Sequence, residues 1–365
     1  MLHSLNSLQK FALLASTSAL LVIAPVHRGY SQSPASYQTY PIPTTLTQQP
    51  LEQASVKAVA TVGMTVSNMN RAVEFYEQVL TFKKISDVEV HGRDYELFQG
   101  LFGVRMRVVQ MQLGDEVITL TEYMTPKGRP IPVDSRSNDL WFQHIAIVVS
   151  DMEQAYQRLR EFNVQYVSTA PQRLPEYISG AAGIEAFYFR DPDGHNLELI
   201  YFPPDKGNPR WQKPTDDLFL GIDHTAIAVS DTEESLRFYR DLLGLKIAGE
   251  SENYGTEQEH LNNVFGARVR ITGLKAPTGL GVEFLNYRSP STGRPYPSDS
   301  HANDLWHWET TFVVEDAASV AQRLQAAGYS FLSSGVVDLP NQDLGFRSGF
   351  LVRDQDGHVL RIIEP

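Results

Sequence analysis

A long-period internal repeat limits this chain more than any local pattern does. The segment Thr61-Val62-Gly63-Met64-Thr65-Val66-Ser67, followed by Phe75-Tyr76, recurs 163 residues on as His224-Thr225-Ala226-Ile227-Ala228-Val229-Ser230 with Phe238-Tyr239. Phe102-Gly103-Val104-Arg105 recurs as Phe265-Gly266-Ala267-Arg268 at the same spacing, and Asp191-Pro192-Asp193-Gly194-His195 as Asp354-Gln355-Asp356-Gly357-His358. Asn138-Asp139-Leu140-Trp141 recurs as Asn303-Asp304-Leu305-Trp306, 165 residues on. Spacing this constant means a tandem duplication, one copy over about 56–205 and the other over about 218–365, joined by the stretch Pro203 to Pro214.

Each copy divides again into two similar halves. A short alternating strand ends at Ser-Asp or Ser-Asn, a helix-capping pair, and an amphipathic helix and several strands follow. After Ser150-Asp151, for instance, Met152, Ala155, Tyr156 and Leu159 fall on one helical face. Four such units make an α+β chain of βαβββ modules, whose curved sheets are expected to pair into clefts. The Asp-Pro-Asp-Gly and Asp-Gln-Asp-Gly segments are turns that feed closing strands, and His195 and His358 behind them are expected to be exposed and not to bind metal.

Composition removes several function classes. A net charge of -12 repels phosphate backbones and anionic bilayers, so nucleic acid is not an expected partner. There is no cysteine, so any metal must be held by His, Asp and Glu. The apolar run Phe11 to Val26 has 16 residues, short of the roughly 20 a membrane-spanning helix needs. It reads as a signal peptide over 1–31, with small residues at Gly29 and Ser31 near the cleavage point and the unusual His27 and Arg28 before it. Residues 32–55 read as a disordered linker, the stretch Tyr30 to Pro50 being uncharged and rich in Ser, Gln, Thr and Pro. The mature chain is expected to be periplasmic or secreted, free of the membrane after cleavage.

A helix-capped βαβββ unit whose last strand follows Asp-Pro-Asp-Gly-His and reads Asn196-Leu197-Glu198-Leu199 resembles the module of the vicinal oxygen chelate superfamily, to which glyoxalase I, bleomycin resistance proteins and extradiol dioxygenases belong. The resemblance covers nearly all of 56–365 and implies two tandem domains of that fold. It also implies that a metal is held by one residue from the first strand and one from the last strand of each of two paired modules. Those positions are Thr61 and Thr119 in the first module, His144 and Glu198 in the second, His224 and Glu283 in the third, and Glu309 and Arg361 in the fourth. Pairing within each copy leaves no complete set. Pairing of the second module with the third brings together His144, Glu198, His224 and Glu283, and leaves the outer modules with a set that suits a salt bridge. Sequence does not choose between them, nor between pairing within one chain and across a homodimer.

Two imidazoles and two carboxylates suit one divalent ion, Zn, Ni, Co, Mn or Fe. The resemblance then implies a lyase or isomerase of glyoxalase I type acting through an enediolate on a small oxygen-rich substrate, with Glu198 or Glu283 as the base. Arg268 and Arg270, on one strand and of one parity, are candidates to hold a substrate anion, against a plain reading as salt-bridged surface. An extradiol-type ring-cleaving dioxygenase and a non-catalytic small-molecule binding protein remain open alternatives. Trp141, Phe142, Trp306 and Trp308 are expected as sheet-packing core rather than cleft lining.

Overall fold

Alternation along the strands decides what each face buries, and the computed structural model, which describes residues 56–291 and 293–365, shows both faces in use. The expected signal peptide and linker lie outside the described residues. Among those described, no helix is long and apolar enough to cross a membrane.

Each module opens with a strand: Ala58–Thr65, Gln143–Val149, Phe219–Ala228 and Trp308–Val313. Each closes with another: Glu116–Thr125, Asn196–Tyr201, Gly281–Ser289 and Val359–Glu364. Within a module the opening strand runs parallel to the closing one. Between modules, opening strands pair antiparallel, and the pairing is crossed. Phe219–Ala228 pairs with Gln143–Val149, while Ala58–Thr65 pairs with Trp308–Val313. Among the described residues two nine-stranded sheets result, one from the second and third modules and one from the first and fourth with the short strand Thr278–Gly279 of the third added beside Ala58–Thr65. Both are completed within a single chain.

Helices Met69–Gln78, Met152–Glu161 and Ala317–Ala326, and the helical turns from Thr232 to Leu242, follow the opening strands. Asn68, Asp151, Asp231 and Asp316 each accept a hydrogen bond from a first-turn amide, satisfying donors the helix cannot. Their apolar faces and one parity of every central strand, such as Ile145, Ile147, Leu197, Leu199, Val62 and Phe312, form one shared core. Residues of the other parity face the two cups.

The connectors between modules cross as arms. Arg294 is bound by the Asp139 carboxylate, with Nη2 at 2.8 Å, and lies over the Trp141 ring. Arg129 repeats this with Asp304, at 2.7 Å, over Trp306. This clasp accounts for the repeated Asn-Asp-Leu-Trp segment. Phe142 and Trp308 are buried in cores, as expected.

His195 and His358 differ from expectation: they are buried, at 1% and 3% exposure. His195 Nδ1 lies 2.8 Å from Asp191 Oδ2 and Nε2 lies 2.7 Å from the Leu305 carbonyl, while His358 Nδ1 lies 2.9 Å from Asp354 Oδ2. The turns are exposed at their tips, but the opposite connector folds over the residue behind them. Asp193 in the same turn accepts from Ser67 N at 2.8 Å and Ser67 Oγ at 2.6 Å, tying the second module to the first. Asp356 takes the same place against Ser230.

Candidate metal centre

Register alone puts four side chains on one face. His144 lies opposite Ala226, Ala226 beside Glu283, and Ala146 beside Glu198. Because side chains alternate along a strand, His144 and Ala146 share a face, as do His224 and Ala226. All four candidate ligands therefore point into the cup of the second and third modules.

His144, Glu198 and His224 are buried, and one ligand atom from each lies within 4.8 Å of the others. His144 Nε2 is 3.1 Å from Glu198 Oε2, and His224 Nε2 is 3.7 Å from the same oxygen. Glu283 stands just outside this tight set, its Oε1 3.7 Å from His224 Nε2. Its side chain keeps 24% exposure against 6% for Glu198, and that exposure opens onto the cup.

Neither His144 nitrogen makes a hydrogen bond, and His224 Nε2 makes none either. Buried polar atoms without partners are rare and costly, so one such nitrogen from each ring, beside a buried carboxylate, fits a bound cation, which leaves the second His144 nitrogen unaccounted for. Burial works against a charged His224, but Glu283, Asp223 and Glu198 outweigh it and raise its pKa to about 9 in the metal-free protein. Burial, with Glu198 adding to it, raises Glu283 above the ordinary carboxylate range.

One partner of the centre escaped sequence reading. Asp223 Oδ2 lies 3.1 Å from His224 Nδ1, and Trp211 Nε1 donates to Asp223 Oδ1 at 2.8 Å. Burial opposes ionisation of Asp223, yet the His224 and Trp211 contacts hold its pKa at about 2. An acid directly before a ligand histidine, in an apolar strand, was the signal available. A carboxylate on the far nitrogen fixes the ring and its tautomer.

Beside the ligands opens a cavity of about 400 Å³, walled by Leu174, Ile184, Ile200, Leu261 and Ile271 among others, with Glu198, His224 and Glu283 at its floor. Arg268 and Arg270 do not line it. They occupy the opposite face of their strand, where Arg268 binds Glu252 at 2.6 Å and Arg270 binds Glu250 at 2.8 Å and Glu233 at 3.0 Å. Ile271 and Gly273, of the other parity, take the cavity side. The substrate-anion role is therefore not carried forward.

The other cup holds a buried ion pair. Arg361 donates to Glu309, His307 Nε2 lies 3.0 Å from Glu309 Oε1, and Thr61 Oγ1 donates to Thr311 Oγ1 at 3.1 Å. Thr119 is buried as well. Phe98, Phe346 and Leu351 fill the space that the first cup leaves open.

The family model for the Glyoxalase/Bleomycin resistance protein/Dioxygenase superfamily matches residues 58–199 and again 221–362. The chain belongs to this superfamily. Glyoxalase I from Zea mays is similar in fold, with a TM-score of 0.56 at 15% identity over 85% of this chain and 92% of that one. So is a candidate dioxygenase from Bacillus subtilis, with a TM-score of 0.53 at 13% identity over 85% of this chain and 86% of that one. At such identity the likeness is one of fold. No curated protein matches the sequence. Membership of the glyoxalase superfamily, with its metal-binding members, agrees with a buried His-Glu-His group able to hold an ion.

Proposed function

We propose that the chain is a metal-dependent lyase or isomerase of glyoxalase type, which moves a proton between neighbouring carbons of a small oxygen-rich substrate in the cup of its second and third modules. The observation that carries the reading is the convergence of His144, Glu198 and His224 within 4.8 Å at the floor of a cavity. His144, Glu198, His224 and Glu283 would hold one divalent ion, Zn, Ni, Co, Mn or Fe, their N and O donors fitting any of these. Such an ion supplies Lewis-acid polarisation of substrate oxygens.

The chain's own residues do the rest. Glu283, loosely placed and open to the cavity, takes the proton from one carbon and returns it to the next, a task suited to a carboxylate less tightly enclosed than Glu198 and within reach of whatever fills the cavity. Glu198, deeply buried against both histidines, stays in place as a ligand. Asp223 keeps His224 oriented. Apolar walls exclude water from the reacting carbons.

The test is metal analysis of the purified protein, followed by proton exchange from a neutral α-hydroxyketone in D₂O. One ion per chain and exchange that falls about a hundredfold or more in Glu283→Gln, with the ion retained, support the reading. A protein that holds no divalent ion at any supplied concentration ends it. A second reading is favoured by one detail: two histidines and one carboxylate form the tightest set, the donor pattern of non-haem iron oxygenases. Oxygen uptake with a catechol by the iron-loaded protein, with no proton exchange, would put the dioxygenase first. Export of the mature chain remains part of the proposal, tested by fractionation of the native host's cells.

A further inference from the structure

The walls of the cavity carry information about its occupant that the metal ligands do not. Beyond the floor, Leu174, Ile184, Ile200, Leu261 and Ile271 supply branched aliphatic surface, and Gly180, Ala181, Ala248 and Gly273 keep the space open. Among the described residues no Lys or Arg lines it. Apart from His224, which must be neutral to take a metal, its charged residues are acidic: Glu198 and Glu283 at the centre, and Glu250, which is already bound by Arg270 from the far face at 2.8 Å. With a divalent ion neutralised by the two central glutamates, nothing is left over to compensate a negative charge on the part of a ligand that lies against the walls.

The polar end of the cavity is equally specific. Gln258 lines it and is 2% exposed. Its amide NH₂ donates to Asn262 Oδ1, and Asn262 Nδ2 donates in turn to the Tyr287 hydroxyl at 2.8 Å. This chain fixes which way the amide points and engages one of its two donors. The remaining atom, Gln258 Oε1, is buried and has no partner. A buried acceptor left open beside a cavity asks for a donor on whatever fills it.

We infer that this cup is selective for uncharged ligands with a compact aliphatic body, which bind the metal centre through oxygen and give a hydroxyl or N–H hydrogen bond to Gln258 Oε1, and that it rejects ligands with a carboxylate or phosphate tail. Gln258 is the specificity-determining residue of the cavity wall. The inference rests on the metal-site reading above.

The test uses the full mature chain loaded with Co²⁺, whose visible spectrum reports both metal occupancy and ligand binding. The probes are straight-chain hydroxamic acids of graded length, each made with a terminal methyl, hydroxyl or carboxylate; the metal-binding head is common, so only the tail is compared. The methyl series is expected to bind. At matched length the carboxylate series binds roughly a hundredfold or more weakly, because its charge is buried without a partner. At the best length the hydroxyl series gains roughly threefold to tenfold over its desolvation-matched methoxy ether, and Gln258→Met erases that gain. Ile271→Lys, which places a cation at the cavity wall, restores roughly tenfold or more of the carboxylate affinity without tightening the methyl series. Equal affinity of methyl and carboxylate tails, no binding of any methyl-tailed probe to the cobalt protein, or a hydroxyl preference that survives Gln258→Met would overturn the inference. In each of these the cobalt is still held, so the metal reading stands. A chain that takes up no cobalt fails the proposed function instead.

Discussion

Removing one half of the buried ion pair in the filled cup tests whether the two cups are built as argued. Glu309 and Arg361 keep 6% and 7% side-chain exposure, and the Arg361 Nε already lacks a partner. Burial opposes ionisation of Glu309, but Arg361 and His307 lower its pKa, so the carboxylate is charged wherever the protein is folded under ordinary conditions. Glu309→Ala leaves a guanidinium that cannot shed its proton, enclosed by Phe346, Leu351 and Tyr123. Breaking a buried pair in this way costs about 3–5 kcal/mol, which is a factor of roughly 150 to 5,000 in the folding equilibrium. The double variant Glu309→Leu with Arg361→Met removes both charges at similar volume and is expected to lose less than Glu309→Ala, its remaining cost of about 1–3 kcal/mol coming from His307 Nε2, left without its acceptor. Urea unfolding with a fitted slope, in chelator so that metal does not contribute, measures all three. If Glu309→Ala and the double variant lose the same stability, or if Glu309→Ala loses less than about 1 kcal/mol, the pair is not buried and uncompensated as described.

Three further outcomes concern the other cup. Metal analysis is expected to give one ion per chain, lost or weakened at least a hundredfold by Glu198→Ala and unchanged by the Glu309 and Arg361 substitutions, read by equilibrium dialysis. Asp223→Asn is expected to weaken metal binding about tenfold to a hundredfold, since it removes the carboxylate behind His224, with Trp211→Phe doing less; calorimetric titration reads both. His224 must lose its proton to take a metal, and its metal-free pKa is about 9. Metal affinity should therefore rise about tenfold per pH unit from 7 toward 9 and flatten above it. The metal-free protein should behave oppositely: a histidine whose folded pKa is raised contributes stability at low pH and loses it as pH climbs through 9, so the chelated midpoint falls over that window.

The candidate positions come from the family resemblance, and the strands themselves single out some of them. Glu198 stands between Leu197 and Leu199, and His144 heads the fully buried strand Gln143–Val149, so a charged or ring-nitrogen side chain there needs a purpose. The crossed pairing was legible only as one of two options. Three of the four opening strands are apolar along most of their length, and the fourth, Trp308–Val313, along half of it; such strands carry no label for their neighbour. What selects the neighbour is the clasp of Arg129 on Asp304 and Arg294 on Asp139, with the Asp193 and Asp356 turns locking onto Ser67 and Ser230. Those residues repeat in the sequence, but a repeat reads the same whether its arms cross or not.

Of the two readings open for Arg268 and Arg270, a substrate-anion site or a salt-bridged strand face, the structure shows the second. Their shared parity alone does not choose between them. In an ordinary half-buried sheet the polar parity points to water and the apolar one to the core, so a polar pair beside a cleft would be its lining. Here the cleft is itself apolar. Val269 and Ile271 pack toward the cup while Leu274, four residues from Arg270, packs into the shared core behind it. With apolar demand on both faces, alternation ceases to distinguish inside from outside, and the arginines fall to the face where Glu233, Glu250 and Glu252 await them. The same fact that leaves the sequence reading open shapes the chemistry: a cup able to pass for a protein core from its strand pattern is one whose ligand must be acceptable to a protein core, uncharged except where the metal and its glutamates meet it.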